Sequence, residues 1–175
     1  MEPYNPEDRK VSELATIGRY TCKLTIVGWE IQQAVPFLGQ AVSVTILPES
    51  KEQEPSPSQI AVLHSVESLA ATFLDALDDA AEAYRKEVDD AVDLSEYDLG
   101  QINRSNIRKH YALDSIVIPR HGSSPHTWFF IAAECDWEEE HGMETLVKDG
   151  AIISCGMSNV LYLNEEWDRY IEPPE

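Results

Sequence analysis

The densest group of chemically capable residues lies in the segment 135–142, which reads Cys-Asp-Trp-Glu-Glu-Glu-His-Gly. Four carboxylates and one imidazole lie within six consecutive positions, and such groups can bind a hard or borderline cation. The spacing fits no calcium loop, and the zinc-protease helix needs two histidines one turn apart. Asp136, Glu138 and His141 are the residues that would bind a metal, but we expect neither a metal nor another cofactor.

Nucleophilic catalysis is a second chemistry open to this segment. Cys135 could act as a nucleophile with His141 as its base, which would make the protein a small hydrolase. A metal-dependent hydrolase using the same 135–142 loop belongs to the same alternative. However, Cys135 ends an apolar run, no serine lies in a nucleophile-elbow sequence, and no glycine-rich phosphate loop is present. The sequence therefore favours a protein without catalytic residues.

A structural or partner-binding role suits the same residues better. Trp137 can fold over the edge of a sheet, and Glu140 can accept hydrogen bonds from loop amides. His141 can fix the loop through a hydrogen bond to a carbonyl, and Gly142 can adopt a φ that other residues resist. We therefore predict that this segment is a tight connection between two strands.

The predicted strands place this connection within one sheet. Alternating or β-branched apolar residues predict strands over 20–27 and 41–47. The last third of the chain contains four further predicted strands, over 115–118, 127–135, 143–147 and 151–155. Asp149-Gly150 joins the last two, and such a pair between apolar runs is typical of a β-hairpin.

A helical region separates the two groups of strands. Ser56 and Gln59 fit the N-cap and third positions of a helix, with a proline at the first position. Apolar residues then recur every three or four positions as far as Val92. A single helix over 57–92 would be about 50 Å long, so we expect it to bend, break or project beyond the sheet.

Charged residues surround this helical region. The face opposite the apolar stripe carries seven carboxylates and is expected to face solvent; they are Asp75, Asp78, Asp79, Glu82, Glu87, Asp89 and Asp90. A short helix over 102–111 is predicted to hold the basic residues Arg104, Arg108, Lys109 and His110, which favour a helix C-terminus.

These elements predict an α+β fold in the order β-β-α-α-β-β-β-β. We expect an antiparallel sheet of about six strands packed by one long helix and one short helix. Residues 1–14 are predicted to be a loose N-terminal arm, 15–156 a single domain, and 157–175 an acidic C-terminal extension. Three cysteines without close spacing and the lack of an apolar leader or span predict a cytoplasmic protein.

Net charge is the most unusual property of the composition. Lys and Arg number 13 against 32 Asp and Glu, which gives a formal net charge of −19. Such a chain repels phosphate backbones and anionic membranes, so neither nucleic acid nor membrane is an expected partner. A basic protein is compatible, as is a purely solubilising role. Aromatic residues could anchor such a partner, and the candidates are Trp29, Tyr162, Trp167 and Tyr170.

The strand-loop motif also resembles a family of uncharacterised bacterial proteins. The resemblance is carried by Cys135, Trp137, Glu140-His141-Gly142 and Gly156, with weaker similarity upstream at the helix start near Gln59. It covers about residues 20–156 and implies a small α+β protein of the bacterial cytoplasm without an assigned activity. Some members are similar to immunity proteins encoded beside toxins. We therefore expect a non-catalytic, immunity-like binding module.

Overall fold

The computed structural model shows an α+β fold built on one large mixed sheet, which confirms the predicted fold class. It describes residues 14–17, 19–25, 27–49, 54–69, 71–96, 99–122, 124–159, 167 and 171. The strands are β1 (Leu14–Ile17), β2 (Tyr20–Leu24), β3 (Trp29–Ile31), β4 (Val35–Phe37), β5 (Gln40–Ile46), β6 (Tyr111–Ile118), β7 (Trp128–Cys135), β8 (Met143–Lys148) and β9 (Ala151–Met157). The helices are α1 (Pro57–Val66) and α2 (Ala71–Val92).

The arrangement of strands corrects the predicted sheet. Its order is β1-β2-β3-β5-β6-β7-β8-β9, with β4 also paired to β5. All of these pairs are antiparallel except β5–β6, which is parallel. The prediction of an antiparallel sheet of about six strands was therefore wrong in the number of strands. It was also wrong for one neighbouring pair, β5–β6, whose strands are parallel. The parallel pair arises because the chain leaves β5, passes through both helices and returns to start β6 at the same end of the sheet.

Short strands near the beginning of the chain account for the difference in number. The predicted strand over 20–27 ends at Leu24, and the chain turns there into β3. β3 and β4 both pair with β5, and the register shifts by two residues between them. They therefore behave as one strand interrupted by a bulge, which a search for unbroken alternation does not detect.

The helical region begins as predicted but does not continue as one helix. Ser56 caps α1, its side chain accepts the Gln59 amide, and Gln59 accepts the Ser56 amide at 2.9 Å. α1 ends at Val66, and α2 starts again at Ala71, which confirms a break. The predicted helix over 102–111 was wrong, because only a 3-10 turn forms there, over Ile107–Lys109. No single helix in the described ranges is long and apolar enough to cross a membrane.

Both helices pack on the same face of the sheet. The buried residues of α1 and α2 join the main apolar cluster, and they include Val62, Leu63, Val66, Phe73, Leu77, Ala81 and Tyr84. Phe73 lies between Phe37 and Phe129, with ring centroids 6.5 and 6.4 Å away. The predicted apolar stripe is therefore core along most of its length, although Val92 at its end is exposed.

A separate apolar cluster covers part of the opposite face. Trp167 and Ile171 pack there with residues from β6, β7 and β8. The Trp167 ring lies 5.5 Å from Trp128 and 5.2 Å from Phe130, and its Nε1 donates to the Arg120 carbonyl at 2.8 Å. Two residues of the predicted C-terminal extension thus belong to the packed structure.

The β8–β9 hairpin confirms the strongest local prediction. Asp149 and Gly150 both have positive φ, at 49° and 79°. A two-residue turn of this kind matches the twist of the flanking strands. The Asp149 carboxylate also accepts the Thr127 amide at 2.8 Å and contacts His126 Nδ1 at 2.7 Å, so the turn is tied to the start of β7.

Candidate functional site

A cleft of about 670 Å³ lies where β6 begins, β7 ends and the 136–142 loop connects β7 to β8. Ala112 and Asp114 of β6 line it, as do Ala132 and Glu134 of β7. These small or acidic residues alternate with core residues along their strands. Their side chains therefore point away from the helices, and the cleft includes the face of the sheet that the helices leave uncovered.

Gly142 fixes the path of the loop beside this cleft. Its φ is +68°, and a Cβ built at this position would lie 2.6 Å from the Ala133 carbonyl oxygen. The Gly142 amide donates to the Glu138 carbonyl at 2.9 Å, which closes the loop. Any side chain here would be strained and would collide with backbone, so the structure confirms the predicted need for glycine.

Trp137 anchors the other side of the loop. Its side chain is buried, and its ring lies 6.4 Å from Tyr84 of α2 in an edge-on arrangement. The loop is thus attached to the helix layer while its polar residues remain at the surface. The ring therefore folds back against α2, while its predicted position over the sheet edge stays a prediction.

The two histidines of the cleft form separate pairs. His110 Nδ1 lies 2.9 Å from Asp136 Oδ2, and His141 Nδ1 lies 3.1 Å from Glu138 Oε1. His141 therefore contacts a carboxylate rather than the predicted carbonyl. Glu140 is exposed and contacts no loop amide within the described residues. In those same ranges, no three His, Cys, Asp or Glu side chains converge in a way that could hold a metal ion.

Cys135 has the surroundings of a structural thiol. The residue is buried, and its Sγ donates to the Glu138 carbonyl at 3.8 Å. Burial raises the pKa of this thiol to about 12. Because the thiolate is the nucleophilic form, a group that stays protonated at neutral pH is poorly suited to attack a substrate.

Negative charge is the dominant property of the cleft. Among the described residues, its lining contains one lysine, Lys109, and five carboxylates, which belong to Asp114, Glu134, Asp136, Glu139 and Glu140. All five residues are exposed. Asp136 pairs with His110, whereas the other four carboxylates make no hydrogen bond or ion pair with any residue that the structure describes. The cleft can therefore attract cationic groups from outside the chain.

The carboxylates of α2 are in a different situation. Asp78 is 1% exposed, although its sequence position predicted a solvent-facing side chain. Its carboxylate accepts the Tyr111 hydroxyl at 2.6 Å, Arg108 Nε at 3.0 Å and Arg104 Nη1 at 3.3 Å. Burial, followed by the bond to Asp78, raises the pKa of Tyr111. Asp78 therefore joins α2 to the segment that leads into β6.

Other carboxylates of α2 are paired as well. Arg104 and Arg108 also contact Asp75, and Arg104 contacts Asp79. Glu82 was also predicted to face solvent, but it is 8% exposed and pairs with Arg85 at 3.3 Å. The basic residues of 104–108, expected at a helix C-terminus, instead neutralise the helix opposite them.

Of the four candidate anchor residues, the structure describes two, and both are buried. Trp29 and Trp167 are 5% and 0% exposed, so neither presents its ring to a partner in this fold. Tyr162 and Tyr170 lie outside the described residues. The structure thus brings Glu140, His141 and Gly142 to the edge of the cleft and places the two tryptophans elsewhere.

Sequence reasoning missed the strand residues that complete the cleft. Tyr111 falls within the predicted helix over 102–111, and this prediction obscures the alternation of Tyr111 and Leu113 with Ala112 and Asp114. Glu134 was predicted on a strand but not as a site residue. A strand of period two starting at Tyr111 would have placed Ala112 and Asp114 on one face.

The fold and the cleft together define an α+β domain with helices on one sheet face and an acidic concavity beside the other. The family model for a domain of unknown function, DUF6985, matches residues 16–163, and the chain belongs to this family. No curated protein and no solved structure matches the chain.

Proposed function

We propose that this protein is a non-catalytic binding module that receives a basic partner protein in its acidic cleft. The observation that carries the proposal is a set of four exposed carboxylates on one concave surface that pair with no described residue; they belong to Asp114, Glu134, Glu139 and Glu140. Carboxylates already paired within the chain would attract a partner less strongly. These four retain their attraction for lysine and arginine side chains.

Electrostatic steering gives this arrangement a physical function. A cleft lined by one sign of charge can raise the association rate of an oppositely charged partner by about 10–1,000-fold at low salt. The net charge of −19 acts in the same direction. It also disfavours nucleic acid and anionic membranes, so a protein is the proposed class of partner.

We extend the proposal to an immunity-like role in the bacterial cytoplasm. The support is the resemblance carried by Trp137 and Glu140-His141-Gly142, since some proteins of the family that it resembles are similar to immunity proteins encoded beside toxins. In this role the cleft would bind a cationic toxin or nuclease domain. Gly142 and Trp137 would hold the acidic loop in position, while Glu139 and Glu140 would contact the partner.

A small hydrolase remains the alternative, because Cys135 and His141 line the same cleft. The protonated state of the Cys135 thiol counts against it. The two functions predict different results when Cys135 is replaced. A hydrolase of the Cys/His kind loses its activity when Cys135 is replaced, whereas a binding module keeps its affinity.

Affinity capture followed by measurement on purified proteins tests the proposal. The full chain is used as bait in a lysate of its source cells at ~50 mM salt, where attraction is screened least. The captured protein is purified and titrated against the native chain, Glu139→Lys/Glu140→Lys and Cys135→Ala. We expect charge reversal to weaken binding by at least about tenfold and Cys135→Ala to leave it unchanged. Capture of no basic protein, or equal binding by the charge-reversed chain, would overturn the proposal.

A further inference from the structure

β9 forms an open edge of the sheet. Within the described ranges it pairs with β8 alone, so its other side presents a row of backbone N–H and C=O groups. Such a row is a template for another strand, and proteins usually protect it with charged residues or proline. The seven residues Ala151–Met157 contain neither. A bulge at Ile153 is the protective feature that β9 does have.

Apolar side chains are exposed along this edge. Ile153 is 52% exposed and Met157 is 50% exposed. Both are large side chains on a strand of seven residues, next to the unpaired backbone. An edge that combines the two features favours burial against another strand.

The distribution of charge indicates what that other strand can be. Two copies of a chain with a net charge of −19 repel each other wherever their carboxylates meet. β9, with Ser158 and Asn159 after it, is free of charge in this strongly acidic chain. Pairing along this strip therefore sets no charged side chain of β9 opposite another, whereas Glu87 of α2 acts on Cys155 and contributes to the repulsion that salt screens.

The register of β9 also suits pairing with itself. Cys155 and Met157 lie opposite Thr145 and Met143 of β8, so they share the face that the helices cover. Directly opposed residues of an antiparallel pair lie on the same face. Pairing centred on Cys155 sets Ser154 opposite Gly156, and Ile153 of one copy opposite Met157 of the other. The two exposed apolar side chains would then cover each other on both sides of a two-fold axis.

We propose that two copies of this chain associate through β9, antiparallel and across a two-fold axis near Cys155. The sheet then continues from one copy into the next, and neither copy retains an exposed β9 edge. This inference does not depend on the proposed function of the acidic cleft.

Sedimentation equilibrium of the full chain over a salt series tests the proposal. We expect a dimer whose affinity increases with salt, because screening weakens the repulsion between the two acidic copies. Ile153→Lys and Met157→Lys each place a charge at the paired edge and should weaken the dimer by at least about tenfold. Val27→Lys is the matched control, since Val27 is 49% exposed and lies between β2 and β3, at the other end of the sheet from β9. It should leave the affinity unchanged.

Two results would overturn this inference. One is a chain that stays monomeric at about 1 mM and high salt. The other is a dimer that both β9 variants leave intact, in particular one that Leu14→Lys at the β1 edge disrupts instead. Far-ultraviolet circular dichroism of each variant establishes that the fold is retained, as expected for substitutions of half-exposed side chains.

Discussion

Two groups of carboxylates in this chain look alike in sequence and differ in the structure. Around α2, Asp78 is buried and accepts hydrogen bonds from Tyr111, Arg104 and Arg108. In the cleft, Glu139 and Glu140 are exposed and make no ion pair with any described residue. The first group holds two parts of the fold together, whereas the second remains available to another molecule.

The difference shows that the role of a carboxylate depends on the residues that it contacts in the fold. The number of carboxylates near it in the sequence matters less. The arginines of 104–108 lie about thirty positions after Asp78 and reach it only in the folded chain. Among the described residues, no arginine or lysine pairs with the 138–140 carboxylates, and Glu138 contacts His141. The high negative charge therefore includes carboxylates that hold the fold together and carboxylates that stay exposed.

Removing the Asp78 carboxylate should have the largest effect on stability. Asp78→Ala leaves the buried Tyr111 hydroxyl without its acceptor and separates α2 from the basic segment. We expect a loss of about 3 kcal/mol in the free energy of unfolding, measured by urea denaturation. Asp75→Ala is the control, because its side chain is 69% exposed and should contribute less than about 1 kcal/mol. Equal effects of the two substitutions would contradict a structural role for Asp78.

Gly142→Ala tests whether the cleft loop depends on its backbone. The new Cβ would meet the Ala133 carbonyl in a left-handed conformation, so we expect a loss of about 2–3 kcal/mol. Gly100→Ala is the matched control, since Gly100 has nearly the same φ, +67°, and no atom lies within 4 Å of the position that its Cβ would take. Thermal melting of both variants measures the difference. If Gly142→Ala melts like the native chain, the backbone conformation of Gly142 does not fix the loop.

The sequence predicted those features that depend on neighbouring residues. The α1 capping box, the Asp149-Gly150 hairpin and the role of Gly142 all follow from local geometry. The parallel β5–β6 pair and the burial of Asp78 were missed, because both depend on contacts between distant segments. The candidate site was predicted only in part, because the 135–142 loop is contiguous in sequence. Asp114 and Glu134 come close to this loop only through the pairing of strands in the sheet.

His121, which belongs to neither carboxylate group, is expected to have a smaller effect on stability. Burial lowers the pKa of His121, partly opposed by its hydrogen bond to the Trp128 carbonyl. The unfolded chain binds a proton at His121 below about pH 6.5, whereas the folded chain resists doing so. The stability present above that pH is therefore lost as the pH falls toward the lowered pKa. Any comparison of the two carboxylate groups by pH must allow for this effect.

Urea denaturation at several pH values between about 7.5 and 5.5 measures the contribution of His121 to the free energy of unfolding. His121→Gln should flatten the decline in stability with falling pH. His64→Gln, at an exposed position on α1, should leave the decline as it is in the native chain. If the stability of His121→Gln falls with pH as steeply as that of the native chain, other residues cause the pH sensitivity.

The most direct measurement compares association rates with the basic partner for two variants of equal charge. Glu139→Gln/Glu140→Gln alters the cleft, and Glu87→Gln/Asp90→Asn alters exposed positions of α2. Each variant removes two negative charges, so the change in overall attraction is the same. At ~50 mM salt we expect the cleft variant to associate about tenfold more slowly and the α2 variant to change by less than about twofold. Equal rates for the two variants would contradict the claim that the cleft is the binding surface.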